Sequence, residues 1–473
     1  MKNWLMQGAL ITCVVFFTLI GSGGLVGAQE LTPEQKKAVQ KEVQRILREQ
    51  QGGPTQIPPP SIGSGKSALP ANEPLKELSE QRIPHKYGST AEGSGKLIYA
   101  KPFVANPKAI VGGYMDLSYR NANHQGDPST FDVTRFVPFI YADVSQHVKM
   151  ASELEIEHGI REGTQTEVSL EFATMDFLMA EPVNLRAGVV LLPVGKFNLL
   201  HDSPLRDLTD RPFVDTFIIP TTLSETGIGI YGTFFPTRLS KLDYELYVTT
   251  GFNGFRNNMN PIISETKGLK DARQRKTDVG DGFDNNNGKA VVGRLAFSPI
   301  LGVEIGGSGY FGAYDPKSKR ALSIWALDWT LQRGPFELIG ESAWAYVKDN
   351  HLNLNGTLAI DPDTGRVRPR RMSGFYIQGN FHFLPPILTR LAPSFFRPEV
   401  STLTAMVRWE QSDTNRDVNG DLGERQRLTV GLNYRPTEET VFKTAFQYLP
   451  ETLSNMDQRI HDTAFVASMA TYF

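Results

Sequence analysis

The sequence predicts an all-β fold: a transmembrane antiparallel β-barrel of about sixteen strands with a short N-terminal periplasmic helix. Three observations carry this. From residue 109 onward, segments of about ten residues alternate apolar and polar, the length a tilted strand needs to cross hydrocarbon. The connections between them alternate long and short. The chain then stops in mid-strand on an aromatic, Phe473.

Residues 1–28 read as an export signal. Lys2 is the positive start, Ala9 to Ile20 form the apolar stretch, and Val26-Gly27-Ala28 offer a small-residue cleavage site before Gln29. Gly21 to Gly24 end the apolar run well short of the ~20 residues a spanning helix requires. The one cysteine, Cys13, leaves with the signal, which excludes a disulfide scaffold, a thiolate metal site and a thiol nucleophile. Lys and Arg number 49 against 51 Asp and Glu; loss of Lys2 moves the net charge from −2 to −3, and nothing points to nucleic acid.

Residues 29–51 hold a coiled-coil-like helix. Thr32 caps it, Pro33 suits its first position, and Val39, Val43 and Ile46 make a narrow apolar seam. A helix this short is marginal alone, so it either self-associates or frays. Residues 52–108 are a Pro/Gly-rich linker and pre-barrel segment, of which 75–108 is short for a lumen plug.

The barrel occupies 109–473. Met115, Leu117 and Tyr119 alternate with Tyr114, Asp116 and Ser118. Met150, Leu154 and Ile156 oppose Lys149, Glu153, Glu155 and Glu157, and Val407 and Trp409 oppose Arg408 and Glu410. Phe234, Trp325, Trp329, Trp344 and Phe381 fall on apolar faces, as interface girdles do. Strands are expected near 110–120, 131–143, 146–158, 164–178, 184–195, 225–235, 241–252 and 289–299. The rest fall near 302–314, 321–332, 336–348, 373–383, 400–411, 426–435, 439–449 and 462–473. The even number suits closure. Long connections 196–224, 253–288, 349–372 and 412–425 share one end; tight ones share the other, where only 384–399 is long.

The stretch NLRAGVVLLPVGKFNLLHDSP followed by DLTDRPFVDTFIIPTTLSETGIGIYG, within 184–232, resembles the porins related to the phosphate-selective porins O and P. VGRLAFSP, GGSGYFGAYD, LTVGLNYRP and VFKTAFQYLP extend the resemblance over most of 109–473. It implies a sixteen-stranded barrel, a homotrimer, and a trimerising role for the N-terminal helix. In that group phosphate selectivity rests on basic residues lining a constriction, and the sequence places no matching ladder here.

The connection 196–224 joins strands five and six and carries His201, Asp202, Arg206, Asp207, Asp210 and Arg211. Opposed charges there either narrow a lumen or cap the structure with salt bridges, Asp210 with Arg211 above all. Lys149, Glu153, Glu155, Glu157, Glu171, Arg294, Glu337, Glu341, Arg408 and Lys443 are expected to face the lumen. The glutamates among them weigh against a pure anion channel. Basic clusters at Arg256, Lys267, Lys270, Arg273, Arg275 and Lys276, and at Arg366, Arg368, Arg370 and Arg371, can funnel anions, bind lipopolysaccharide phosphates or simply be solvated. Asn415, Asp417, Asn419, Gly420 and Asp421 imitate a calcium loop, but Gln426 stands where its last glutamate belongs. No G-x-S-x-G, H-E-x-x-H or P-loop occurs, and adjacent His201, Asp202 and Ser203 do not make a triad by adjacency.

The sequence thus implies an outer-membrane channel for small solutes, without cofactor or metal, in contact with lipid and lipopolysaccharide. Phe473 is its signal to the barrel-assembly machinery. An adhesin or receptor barrel without an open channel is the alternative.

Overall fold

The computed structural model describes residues 108–122, 129–158, 167–256, 260–273, 284, 286–418, 422–453 and 459–473. The expected signal (1–28), helix (29–51) and linker (52–108, but for Lys108), with Arg275, Lys276 and residues 419–421, lie outside the described residues. Sixteen strands make the wall. They are β1 (Lys108–Ala122), β2 (Thr130–Asp143), β3 (Val148–Glu157), β4 (Glu167–Ala180), β5 (Val183–Leu191), β6 (Ser224–Phe234), β7 (Lys241–Thr249) and β8 (Ala290–Ile300). They continue as β9 (Val303–Ala313), β10 (Ala321–Arg333), β11 (Phe336–Val347), β12 (Arg371–Phe383), β13 (Thr402–Asp413), β14 (Glu424–Arg435), β15 (Thr440–Leu453) and β16 (Arg459–Tyr472).

Every strand pairs antiparallel with its neighbours in chain order, and β16 returns to β1, closing the barrel. At the seam Tyr114 faces Tyr472 and Ala122 faces Ala464. Phe473 extends the ladder by one residue: its N–H donates to the Gly113 carbonyl at 2.9 Å, and its carbonyl accepts from Gly113 at 3.2 Å. Closure leaves no edge strand, which is what lets a sheet sit in lipid without unpaired backbone groups. Among the described residues no helix is long and apolar enough to cross a membrane.

The period of two sorts the faces as the alternation predicts. Trp325, Leu295 and Val407 point outward, 61%, 59% and 49% exposed, while Glu171, Glu341 and Glu410 point inward at 0%. Phe234, Trp344 and Phe381 join the outer face. Trp329 lies flat against the next strand, where Gly340 has no Cβ to meet its ring; an added Cβ would sit 2.3 Å from it. Six of the turns at one end are tight, such as 181–182, 301–302 and 334–335. The exception is 384–401, which carries a short helix, Pro386–Leu391.

Strand five ends earlier than the expected 195. Pro193 has no N–H for the ladder, and the Asn198 side chain takes over as a clamp. Its Nδ2 donates to the Leu192 and Leu223 carbonyls at 2.8 and 2.9 Å, and its Oδ1 accepts from Leu223 N–H at 2.9 Å. The chain between, 192–223, therefore leaves the wall and returns to it at one point, with short helices Lys196–Leu199 and Val214–Phe217 inside. Its Val214 and Ile218 pack with Phe252 and Leu269 of the next long connection and with inward-facing Val292, Ile324 and Val347 of the wall. A dry core thus fills part of the barrel interior.

Candidate functional site

The 192–223 loop is held by polar groups on both sides of the lumen. Gly195 N–H donates to Ser308 Oγ at 2.9 Å, and Lys196 Nζ reaches Thr330 Oγ1 at 2.9 Å and Glu304 at 3.1 Å. Phe197 N–H donates to Glu341 at 3.1 Å. Gly195 sits at φ 72, and a Cβ there would lie 1.9 Å from the Glu341 carboxylate. Only glycine allows both that backbone and that approach.

Across the lumen, the six residues expected at a constriction each find wall partners or fold back on the loop. His201 Nε2 lies 3.3 Å from buried Glu171, and the Thr222 hydroxyl donates to the same carboxylate at 2.7 Å. Asp202 accepts from Tyr472 at 2.8 Å. Asp207 accepts from Asn380 at 2.8 Å and lies 3.7 Å from Arg435. Asp210 accepts from Arg120 at 2.5 Å, Gln447 at 2.8 Å and Arg427 at 3.1 Å. The expected pairing of Asp210 with Arg211 does not form. Adjacent side chains on an extended loop diverge, and Arg211 Nη1 donates instead to the Thr221 carbonyl. His201, Asp202 and Ser203 likewise point to three different partners, since Ser203 Oγ accepts from Arg206 at 2.6 Å.

Between the loop and β1, β2, β14 and β16 lies a cavity of about 360 Å³. Five guanidiniums line it: Arg120, Arg135, Arg206, Arg211 and Arg427. Three carboxylates, Asp116, Asp132 and Asp210, accompany them. Asp210 is saturated by its donors, and Asp132 meets His158 at 2.7 Å. By contrast, Arg206 Nε and Arg211 Nε and Nη2 are buried without a hydrogen-bond partner. Burial and the neighbouring Arg135 push Arg206 down to about 10 and lower Arg211 as well, yet Arg206 at 10 still carries its charge at neutral pH. Burial alone would raise Asp210, but Arg427 and Arg120 hold it well below the usual carboxylate range.

The inward acids that weighed against anions are mostly occupied. Arg135 takes Glu155 and Glu157, each at 2.9 Å. Glu337 accepts from Asn380 at 2.8 Å, and Arg427 holds Glu410 at 2.6 Å with Arg408 at 3.2 Å. Arg294 pairs with Asp328 at 2.5 Å, and Lys443 Nζ donates to the Ser203 carbonyl at 2.5 Å. Glu153 is buried on the same inner face. Lys149 shares its side of β3 but stands half-exposed beside the turn, paired with Asp143.

The basic mouth clusters are largely structural. Arg366 lies 3.5 Å from Glu265, Arg368 3.9 Å from Asp361, and Arg371 2.8 Å from Asp417. Lys267 pairs with Asp271 at 2.9 Å, and Arg273 Nη1 donates to the Pro220 and Thr222 carbonyls at 3.0 Å. Asp417, a candidate calcium ligand, is thus engaged by arginine. Asn415 donates to Glu265 at 2.7 Å, and among the described residues no acidic or histidine cluster is arranged to hold a metal. Arg120, Arg135 and Arg427 escaped the sequence reading. Each sits at an inward strand position, but on three strands distant in sequence.

No model of a known protein family matches the chain. It is similar to an uncharacterized protein of Aquifex aeolicus (strain VF5), 29% identical over 353 residues, which spans 71% of this chain and 74% of that one. Among solved structures it is similar to an anion-selective porin from Comamonas acidovorans, with TM-score 0.48 and 10% identity over 78% of this chain and 100% of that one. It is also similar to OmpF of Salmonella typhi in complex with daunomycin, with TM-score 0.49 and 12% identity over 77% and 97%.

Proposed function

We propose that the protein is an outer-membrane porin of the kind related to the phosphate-selective porins: a passive channel for small polar or charged solutes, with anions such as phosphate favoured. The observation that carries this is the arginine-lined cavity beside the in-folded loop. Arg206, whose counter-charge is Asp116 at 3.6 Å, and Arg211 both line this cavity with N–H groups lacking a hydrogen-bond partner, and at low dielectric they attract an oxyanion more strongly than they would in bulk water. Arg206, Asp207, Asp210 and Arg211 form the constriction in this reading, with His201 and Asp202 anchoring it. No catalytic role follows. Removal of 1–28, recognition of Phe473 by the barrel-assembly machinery, a homotrimer and a periplasmic helix at 29–51 complete the proposal.

Planar-bilayer recording tests it. Purified protein should give steady ohmic steps, and a salt gradient should give a reversal potential of anion-selective sign. Arg206→Ala should weaken that preference; unchanged conductance and selectivity would remove Arg206 from the constriction. The dry core filling part of the lumen favours a second reading, an adhesin or receptor barrel, which a silent bilayer would support.

A further inference from the structure

The long connection at the short-turn end, 384–401, does not fold toward the lumen loop. Pro385 is extended and Pro386 opens the helix. The helix stops at Leu391, with Ala392 non-helical at φ −142, and a turn follows: Ala392 N–H donates to the Leu388 carbonyl, and Phe395 and Phe396 N–H both donate to the Ala392 carbonyl, all at 3.0 Å. Ile387 and Leu391 lie one turn apart on the helix and Phe395 stands in the turn after it, 63%, 76% and 69% exposed. In water each would forgo about 1.5–3 kcal/mol of burial.

The segment is fixed to the outer face of the barrel. The Phe396 ring lies 4.9 Å from Tyr434, and Tyr434 stacks on outward-facing Phe442 at 6.5 Å. The Tyr434 hydroxyl donates to the Phe395 carbonyl. On the other flank Phe336, Phe381 and Phe383 form a continuous aromatic row, with rings 5.0 and 5.4 Å apart. The stripe therefore prolongs the aromatic girdle of the lipid-facing wall. At the same end Phe235, Leu239 and Leu301 are also exposed. Arg390 and Arg397 flank the stripe, exposed, with no ion pair to a described residue.

We propose that residues 386–397 are an interfacial anchor lying in the periplasmic phospholipid leaflet. Ile387, Leu391 and Phe395 enter the acyl region, and Arg390 and Arg397 meet lipid phosphates. An apolar stripe with cationic flanks, continuous with an aromatic girdle, is what the headgroup boundary selects. The anchor requires only that the outer wall contacts lipid and is independent of any channel activity.

Spin labels test it in the full chain with Cys13→Ser, placed at Leu391→Cys and, as a control on the outer wall, at Val407→Cys. The vesicles contain phosphatidylethanolamine and phosphatidylglycerol. The Leu391 label should be broadened by oxygen more than by a water-soluble nickel chelate, in a ratio close to that at Val407. Arg390→Glu with Arg397→Glu should shift that ratio toward nickel. A nickel-dominated signal at Leu391 alone overturns the anchor, and one at both sites overturns the membrane placement with it. Close-range dipolar broadening of the Leu391 label, with neither oxygen nor nickel reaching it, assigns the stripe to a contact with a second copy and equally overturns it.

Discussion

On β8, β10 and β11 the inward-facing Val292, Ile324 and Val347 are as buried as any soluble core. On β1, β2 and β14 inward-facing positions carry Arg120, Arg135 and Arg427 around an open cavity. The alternation of the strands is the same in both regions. What differs is what the loops bring: Ile218 and Phe252 fill one side, while Arg206, Asp210 and Arg211 face the other. An inward position of a barrel is thus not wet by default. It is wet only where nothing apolar is folded over it.

The largest effect should come from the charged side. Arg427→Ala leaves Glu410, 0% exposed, with Arg408 at 3.2 Å as its one charged partner beside the Phe213 N–H at 2.6 Å, and strips a donor from Asp210. Breaking a buried ion network from one side costs about 3–5 kcal/mol. Urea unfolding from detergent micelles should show that loss, and the reversal potential should lose anion preference. On the dry side, Phe252→Ala removes a ring packed edge-on to Tyr310 at 5.3 Å. A stability loss of about 3–5 kcal/mol is expected here too, but with ion preference untouched. If Phe252→Ala changed the reversal potential as much as Arg427→Ala, the division of the interior would fail.

Acid should loosen the arginine clasp. Asp210 is held below its ordinary value of 3.8 in the folded protein. Its contribution is complete above 3.8 and is lost as the pH falls through the lower folded value. The melting temperature should therefore drop more steeply below pH 3.8 in the native protein than in Asp210→Asn; parallel curves would count against the arginine clasp. The smallest change in stability belongs to Arg211→Gln. Nε and Nη2 have no partner to lose and only the Nη1 bond to the Thr221 carbonyl goes, so unfolding should move by about 1 kcal/mol. Anion preference should nonetheless decline, which separates selectivity from scaffolding.

The sixteen strands were legible because each carries its own record: apolar and polar residues two apart, bounded by turns such as Arg333-Gly334-Pro335. Glu155, Glu341, Arg408 and Lys443 share that parity, and all four are buried. Their partners were not legible in this way. Asp210 lies next to Arg211 in sequence yet binds Arg120 and Arg427, because a loop crossing a lumen meets whichever strands stand opposite it. The Asn198 clamp and the Glu341 approach to Gly195 were hidden for the same reason.

The barrel, its strand count and the sense of each face follow from local periodicity and the geometry of an extended backbone, and so could be read along the chain. Tertiary structure alone decided which half of the interior is dry and which arginines share a cavity. It also decided that the 384–401 connection turns outward. Each of these depends on groups far apart in the chain coming together when the sheet closes.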